Sequence, residues 1–185
     1  MSEKIVLEHD DLRRTQRRIA PEYAEKNPDS SDLAIVGIHT RGAILARRLH
    51  TLLAELTDVE LPIGDLDISF YRDDVGAKEP ATQPVVHASH IDFDLSERTV
   101  VLVDDVLFTG RTVRAAIDAL FDYGRPRRVQ LAVLCDRGHR ELPIRPDYVG
   151  KNLPTAREER VNVSLEESDG ADRVTISGAR EEAVA

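Results

Sequence analysis

VVLVDDVLFTGRTVRAA, residues 100–116, is the stretch on which the fold turns. An unbroken apolar run is the pattern of a strand buried on both faces. This one ends in two adjacent carboxylates, Asp104 and Asp105, and passes through a small-residue loop into a segment where Val113, Ala116, Ile117, Leu120 and Phe121 recur at helical spacing before Gly124. In open α/β sheets, ligands bind beyond the carboxyl ends of the strands, where this loop falls. Thr109, Gly110, Arg111 and Thr112 supply two hydroxyls, one residue without a Cβ and successive amides at a helix N-terminus, which together make a cradle for a phosphate dianion. Asp104 and Asp105 can accept the vicinal hydroxyls of a ribose or hold a metal bridging to them. An N-cap and a tight turn would account for one Asp and one Gly, but not for the whole constellation. No lysine follows the glycine and the acidic pair precedes it, so the loop differs from a Walker A sequence and a nucleotide triphosphatase is disfavoured.

Upstream, LAIVGIH (33–39) is a second buried strand, followed by a helix with Leu45, Leu49, Leu52, Leu53 and Leu56 on one face. The turn between them, GIHTRG (37–42), places Thr40 and Arg41 at the same end of the sheet as the phosphate loop. Residues 10–27 predict an earlier helix with Asp10 as N-cap and a kink or restart near Ala20, because Pro21 removes a backbone donor. DLDISFYR (65–72) alternates as a strand, and RDDVGAKEPATQP (72–84) reads as a long loop of lid type, returning as a hairpin arm at Val85–Ala88. VQLAVLCD (129–136) is the next strand, ending in Asp136, and shorter β-prone pieces follow at 148–149, 161–163 and 174–176. Alternating strands and helices give an α/β fold with a central, mostly parallel sheet flanked by helices, in one domain over residues 1–178 with a frayed tail at 179–185.

Composition narrows the function classes. The chain of 185 residues is 41% hydrophobic and 32% charged, which suits a soluble globular domain. No apolar run approaches the roughly 20 residues of a membrane span, and the charged start MSEKIVLEHDDLRR lacks a signal-peptide core, so a cytoplasmic protein is expected. The single cysteine, Cys135, lies in an apolar run and reads as core. A net charge of −9 works against non-specific nucleic-acid binding unless the basic residues share a face. Two groups of them could do so: Arg13, Arg14, Arg17 and Arg18 on the first helix, and Arg137, His139, Arg140, Arg145 and Lys151 in CDRGHRELPIRPDYVGKNLPT (135–155). A solvated helix face explains the first group equally well.

The acidic pair with its Thr-Gly-Arg-Thr loop resembles the 5-phosphoribosyl 1-pyrophosphate (PRPP) motif of type I phosphoribosyltransferases. Together with GIHTRG, Tyr71-Arg72-Asp73-Asp74, DRGHRELPIR and YVGKN, it is similar over residues 4–166 to the bifunctional pyrimidine operon attenuation protein/uracil phosphoribosyltransferase family, the PyrR family. That resemblance implies a type I phosphoribosyltransferase fold with a flexible β-hairpin hood. It implies that Asp104 and Asp105 bind the ribose hydroxyls and that Val106, Leu107, Phe108, Thr109, Gly110, Arg111 and Thr112 wrap the 5′-phosphate. Thr40 and Arg41 would meet the pyrophosphate, with a cis Thr40–Arg41 peptide, and Arg72 would close over PRPP from the hood. Asp136, with Asp104 and Asp105, would hold Mg²⁺, while Arg137 and Val161 would line the uracil pocket. Arg41 and the acidic pair would carry catalysis. The expected partners are PRPP, uracil and UMP or UTP, with a pyrimidine-operon leader RNA on Arg14, Arg17, Arg18, Arg140, Arg145 and Lys151, in a homo-oligomer. Two other readings stay open: a non-enzymatic, nucleotide-sensing RNA-binding attenuator, and a purine phosphoribosyltransferase of the same fold.

Overall fold

The computed structural model describes residues 3–71 and 88–178. Arg72, the rest of the expected hood through His87, and the tail 179–185 lie outside the described residues. Five strands, β2 (Leu33–Ile38), β3 (Ile63–Leu66), β4 (Thr99–Leu107), β5 (Arg128–Asp136) and β6 (Tyr148–Asn152), pair in parallel in the order β3-β2-β4-β5-β6. β4 and β2 are apolar on consecutive residues because both faces are covered. Val101 and Val103 join Leu12, Ile19, Leu45 and Leu49 of helices α1 (His9–Lys26) and α2 (Arg41–Thr57). Val100 and Leu102 join Val113, Ala116 and Leu120 of α3 (Arg111–Phe121). Cys135 is buried in the first of these layers, and burial lifts its thiol pKa to about 12, so it behaves as a small apolar residue. Among the described residues, no helix is long and apolar enough to cross a membrane.

The β-prone pieces at 161–163 and 174–176 are strands β7 (Arg160–Ser164) and β8 (Arg173–Ser177), which join β1 (Glu3–Glu8) in a second, antiparallel sheet of order β1-β8-β7, a pairing not expected from the sequence. A short α4 (Glu166–Asp169) lies between β7 and β8. β1 escaped notice because EKIVLE is short and carries charge at both ends.

Several boundaries differ from expectation for local reasons. α1 begins one residue before Asp10, with Glu8 as N-cap and its amide donating to Asp11 Oδ2 at 3.3 Å. The helix then continues through Pro21, held on both sides of the proline by buried Ile19, Ala20 and Tyr23. β3 occupies residues 63–66 rather than 65–72, since Asp67 Oδ1 accepts from the amide and hydroxyl of Ser69 at 2.8 and 2.5 Å, a side-chain turn that ends the extended run. β4 does not stop at the acidic pair. Val106 and Leu107 still pair with Cys135 and Asp136, so Asp104 and Asp105 lie within the strand. α3 ends at Phe121, three residues ahead of Gly124.

Candidate active site

The site forms where the C-terminal end of β4 meets two turns. Asp104 Oδ1 accepts the Asp105 amide at 2.9 Å, and Asp105 Oδ1 accepts the Val106 amide at 2.8 Å, so each carboxylate is oriented by the backbone that follows it. Asp104 is only 6% exposed, against the expectation of a pair projecting from a strand end. Burial raises the pKa of Asp105 above the ordinary carboxylate value, although the Val106 amide, Asp104 and the charge of Arg41 act in the other direction.

From Leu107 the chain turns through Phe108, Thr109 and Gly110 into α3, with Gly110 at φ +94°, a conformation that favours glycine. Arg111 N donates to Thr109 Oγ1 at 3.3 Å, closing the turn at the helix N-terminus. Thr112 follows in the first helical turn. The loop is braced from outside by residues 137–144, a role that sequence reasoning did not assign. The amides of Glu141 and Leu142 donate to the Thr109 carbonyl at 2.9 and 3.2 Å, the Arg137 amide to the Leu107 carbonyl at 3.1 Å, and Arg140 Nη1 to the Phe108 carbonyl at 2.9 Å. Arg111 Nε reaches Glu141 Oε2 at 3.0 Å.

The Gly37–Gly42 turn is pressed against the same strand. A Cβ built on Gly42 would stand 2.4 Å from the Val103 carbonyl oxygen and 3.1 Å from the Asp104 Cα, so only glycine admits this approach. The turn contains a cis peptide at His39–Thr40, one bond before the expected position. Arg41 is engaged by α4, with Nη2 and Nε donating to the Asp169 carboxylate at 2.9 and 3.3 Å. The Leu165 amide, Ser168 and Arg41 together hold the Asp169 carboxyl at a pKa of about 2.

The other expected site residues divide. Arg137 is buried, with its guanidinium 4.0 Å from the centre of the Phe108 ring and donating to Thr155 Oγ1 and to the Ala156 and Arg157 carbonyls. Val161 is half-buried on β7 and packs on the same core layer as Val106. The Asp136 carboxylate is ion-paired with Arg140 and accepts the Gly138 amide, so its oxygens are engaged in bracing the loop. Hard oxygen donors suit Mg²⁺, which keeps part of its shell from water and substrate phosphates. Asp104 and Asp105 fit that requirement better than Asp136, whose carboxylate Arg140 and the Gly138 amide already occupy. Among the described residues, no group of three or more His, Cys, Asp or Glu side chains is arranged to hold a metal without substrate.

The basic residues do not form one surface. Arg140 is turned inward to the loop, donating also to the Ile144 carbonyl at 3.1 Å. Arg13 and Arg17 line a cleft between α1 and α2 with Glu55, Glu166 and Glu167. Arg14 pairs with Asp11 at 2.7 Å, near enough to Lys151 for that charge to help lower the Asp11 pKa, mainly the work of the Arg14 hydrogen bond. Arg18 Nη2 donates to the Val149 and Gly150 carbonyls at 3.2 and 2.7 Å. Arg14, Arg18 and Lys151 therefore collect where α1 crosses β6, while Arg145 is exposed on the segment leading into β6.

Residues 4–168 match the family described as the Phosphoribosyl transferase domain, so the chain is a phosphoribosyltransferase-domain protein. Over 170 residues it is 61% identical to a bifunctional protein PyrR of a Roseiflexus species, covering 92% of each chain. It is 52% identical over 178 residues to a bifunctional protein PyrR of Listeria welshimeri, covering 96% of this chain and 97% of that one. The chain belongs to the PyrR family. Among solved structures, the hypoxanthine phosphoribosyltransferase of Trypanosoma cruzi superposes with a TM-score of 0.71 at 17% identity, covering 95% of this chain and 97% of that one, a likeness of fold.

Proposed function

We propose that the chain transfers the phosphoribosyl group of PRPP to uracil, forming UMP and pyrophosphate, and that it also acts as a nucleotide-responsive, RNA-binding regulator of pyrimidine operon transcription. The observation that carries the first activity is the close apposition of the Gly37–Gly42 turn to β4 beside the acidic pair and the Thr109–Thr112 loop. Those three features can hold the diphosphate, the ribose hydroxyls and the 5′-phosphate of one ligand.

In the reaction the bond from the anomeric carbon to the pyrophosphate oxygen breaks, the uracil N1 bonds to that carbon, and the N1 proton is released. Charge builds on the ring as an oxocarbenium ion and on the departing diphosphate, so fixed counter-charges and alignment do the work and no covalent nucleophile is needed. The amides and hydroxyls of Val106–Thr112 bind the 5′-phosphate. Asp104 and Asp105 hold the ribose hydroxyls and place negative charge near the cationic ring. Thr40 and Arg41 bind the diphosphate, Arg41 exchanging Asp169 for the substrate, and Arg72 shields it from water. Arg137 and Val161 shape the base pocket. Bound at Asp104 and Asp105 together with PRPP oxygens, Mg²⁺ would neutralise diphosphate charge. We place the reaction in the cytoplasm, in a homo-oligomer.

A steady-state assay with PRPP, Mg²⁺ and each of uracil, hypoxanthine, guanine and orotate tests the substrate. Turnover with uracil is expected, and turnover with hypoxanthine or orotate but not uracil overturns it.

For the regulatory role, Arg14, Arg18 and Lys151 at the α1–β6 crossing support an RNA contact, with Arg17 and Arg145 flanking it. Gel-shift titrations against a pyrimidine-operon leader RNA should show affinity that rises with UMP and falls steeply with salt, because neutralised phosphates release counterions. Lys151→Ala should weaken binding and leave transferase activity intact. Arg140→Ala should instead impair the enzyme, since Arg140 braces the phosphate loop. Binding no tighter than to an unrelated hairpin of equal length overturns the RNA role.

A further inference from the structure

Outside the phosphate loop, one carboxylate gathers more side-chain partners than its place at a sheet edge requires. Asp65, on the edge strand β3, has a side chain only 16% exposed. Its Oδ1 lies 2.7 Å from His39 Nε2 and 3.1 Å from His90 Nδ1, and its Oδ2 lies 3.5 Å from Arg47 Nη2 of α2. Its backbone is fixed as well: Asp65 pairs with Gly37 of β2, and it exchanges two 2.9 Å hydrogen bonds with the backbone of His90.

His39 is the residue immediately ahead of Thr40 and Arg41. It is held twice by β3, through its amide to the Leu66 carbonyl at 2.9 Å and through its ring to Asp65. A turn residue held only by its backbone keeps freedom to rotate about the bonds that follow. One held by backbone and side chain together fixes the direction in which the next residues leave. The diphosphate is gripped by those next residues, and binding energy is lost steeply when a contact atom is displaced by a fraction of an ångström.

We propose that Asp65 is a positioning residue for the pyrophosphate turn: through His39 it fixes the path of Thr40 and Arg41, and so sets the affinity for PRPP and pyrophosphate. The inference rests on the transferase reading of that turn. Asp65 itself acts from the strand next to the turn, and neither Asp65 nor His39 belongs to the group of residues assigned above to substrate.

The test uses the full chain with Mg²⁺ and compares wild type with Asp65→Ala, Asp65→Asn, His39→Ala and the Asp65→Ala/His39→Ala double variant. The readouts are KM for PRPP, KM for uracil, the inhibition constant of inorganic pyrophosphate, and the thermal midpoint. Each alanine variant should raise the PRPP KM and the pyrophosphate inhibition constant by about tenfold and leave the uracil KM within about twofold, and the double variant should be no worse than either single one, as for two groups acting through one contact. Asp65→Asn keeps an acceptor oxygen for His39 and should stay within about threefold of wild type. Single-variant effects that multiply in the double variant, or a uracil KM that moves as far as that for PRPP, overturn the proposal. Should Asp65→Ala fail to fold, His39→Ala carries the same expectation, and a PRPP KM unchanged in it overturns the proposal equally. A wild-type chain that does not use PRPP at all overturns the transferase reading and this inference with it, whereas an active wild type matched by its alanine variants overturns this inference alone.

Discussion

Replacing Asp104 and Asp105 together by asparagine should lower kcat/KM for UMP formation by about 1,000-fold, the scale on which removing a preorganised electrostatic group from an enzyme site acts. Asparagine is nearly isosteric and keeps the oxygen that each side chain offers to the following amide, so the turn from β4 into the loop should persist. What is removed is charge: the pair can no longer bind a divalent cation strongly or oppose positive charge on the ribose. The two positions differ, since Asp104 is buried among neighbours while burial holds the Asp105 carboxyl above its ordinary pKa. A pair of buried carboxyl groups is costly to the fold, and such groups are tolerated where they serve ligands. Thermal melts beside the kinetics separate the two accounts. A severe kinetic loss with a melting temperature equal to or above wild type supports the ligand role, and parallel loss of activity and stability shows the pair to be structural.

The largest expected effect on stability comes from Arg48. From α2 its guanidinium reaches Asp172 through Nη2 and Nη1 at 2.7 and 2.9 Å, and Glu167 through Nε and Nη2 at 2.9 and 2.5 Å. It thereby ties the α4–β8 segment to α2. The Asp172 side chain is 2% exposed, so Arg48→Met would leave a buried carboxylate without its main counter-charge while keeping most of the aliphatic packing. Breaking a buried pair from one side costs about 3 kcal/mol, which lowers the melting temperature of a chain this size by about 10 °C.

The pH dependence follows with a definite sign. Burial pushes the Asp172 carboxyl up, yet the hydrogen bonds from Arg48 and the Glu166 amide outweigh it and the folded pKa is lowered. Stability from this group is therefore present above the unfolded value of about 3.9 and is lost as pH falls through the lower folded value. In Arg48→Met, burial is opposed by less, and protonation relieves the cost. The gap in melting temperature between wild type and variant should be widest near neutral pH and should narrow as pH falls through the lowered folded pKa of the wild-type carboxylate. A gap constant across that range would assign the loss to packing.

The parallel sheet and the phosphate loop were legible in the sequence because each is a local matter. Consecutive apolar residues in 33–38 and 100–103 can satisfy only a strand covered on both faces, and Asp-Asp with Thr-Gly-Arg-Thr before an amphipathic run leaves few alternatives to an anion cradle at a helix start. Family likeness, not spacing, supplied the roles of Arg41 and Arg137. Long-range partners were beyond reach. β1 acquires meaning only beside β8, which is more than 160 residues away in the chain (Glu3 opposite Ser177). Asp136 and Arg140 read as a metal ligand and an RNA contact until folding sets them against each other and Phe108, and Arg18 reads as a surface cation until β6 places two carbonyls under it. A side chain's charge and shape are properties of its residue, whereas the group that satisfies them is chosen by the tertiary fold. Periodicity and motif spacing determined the elements and the loop, while packing decided which of the charged residues remain available to substrate, metal or RNA.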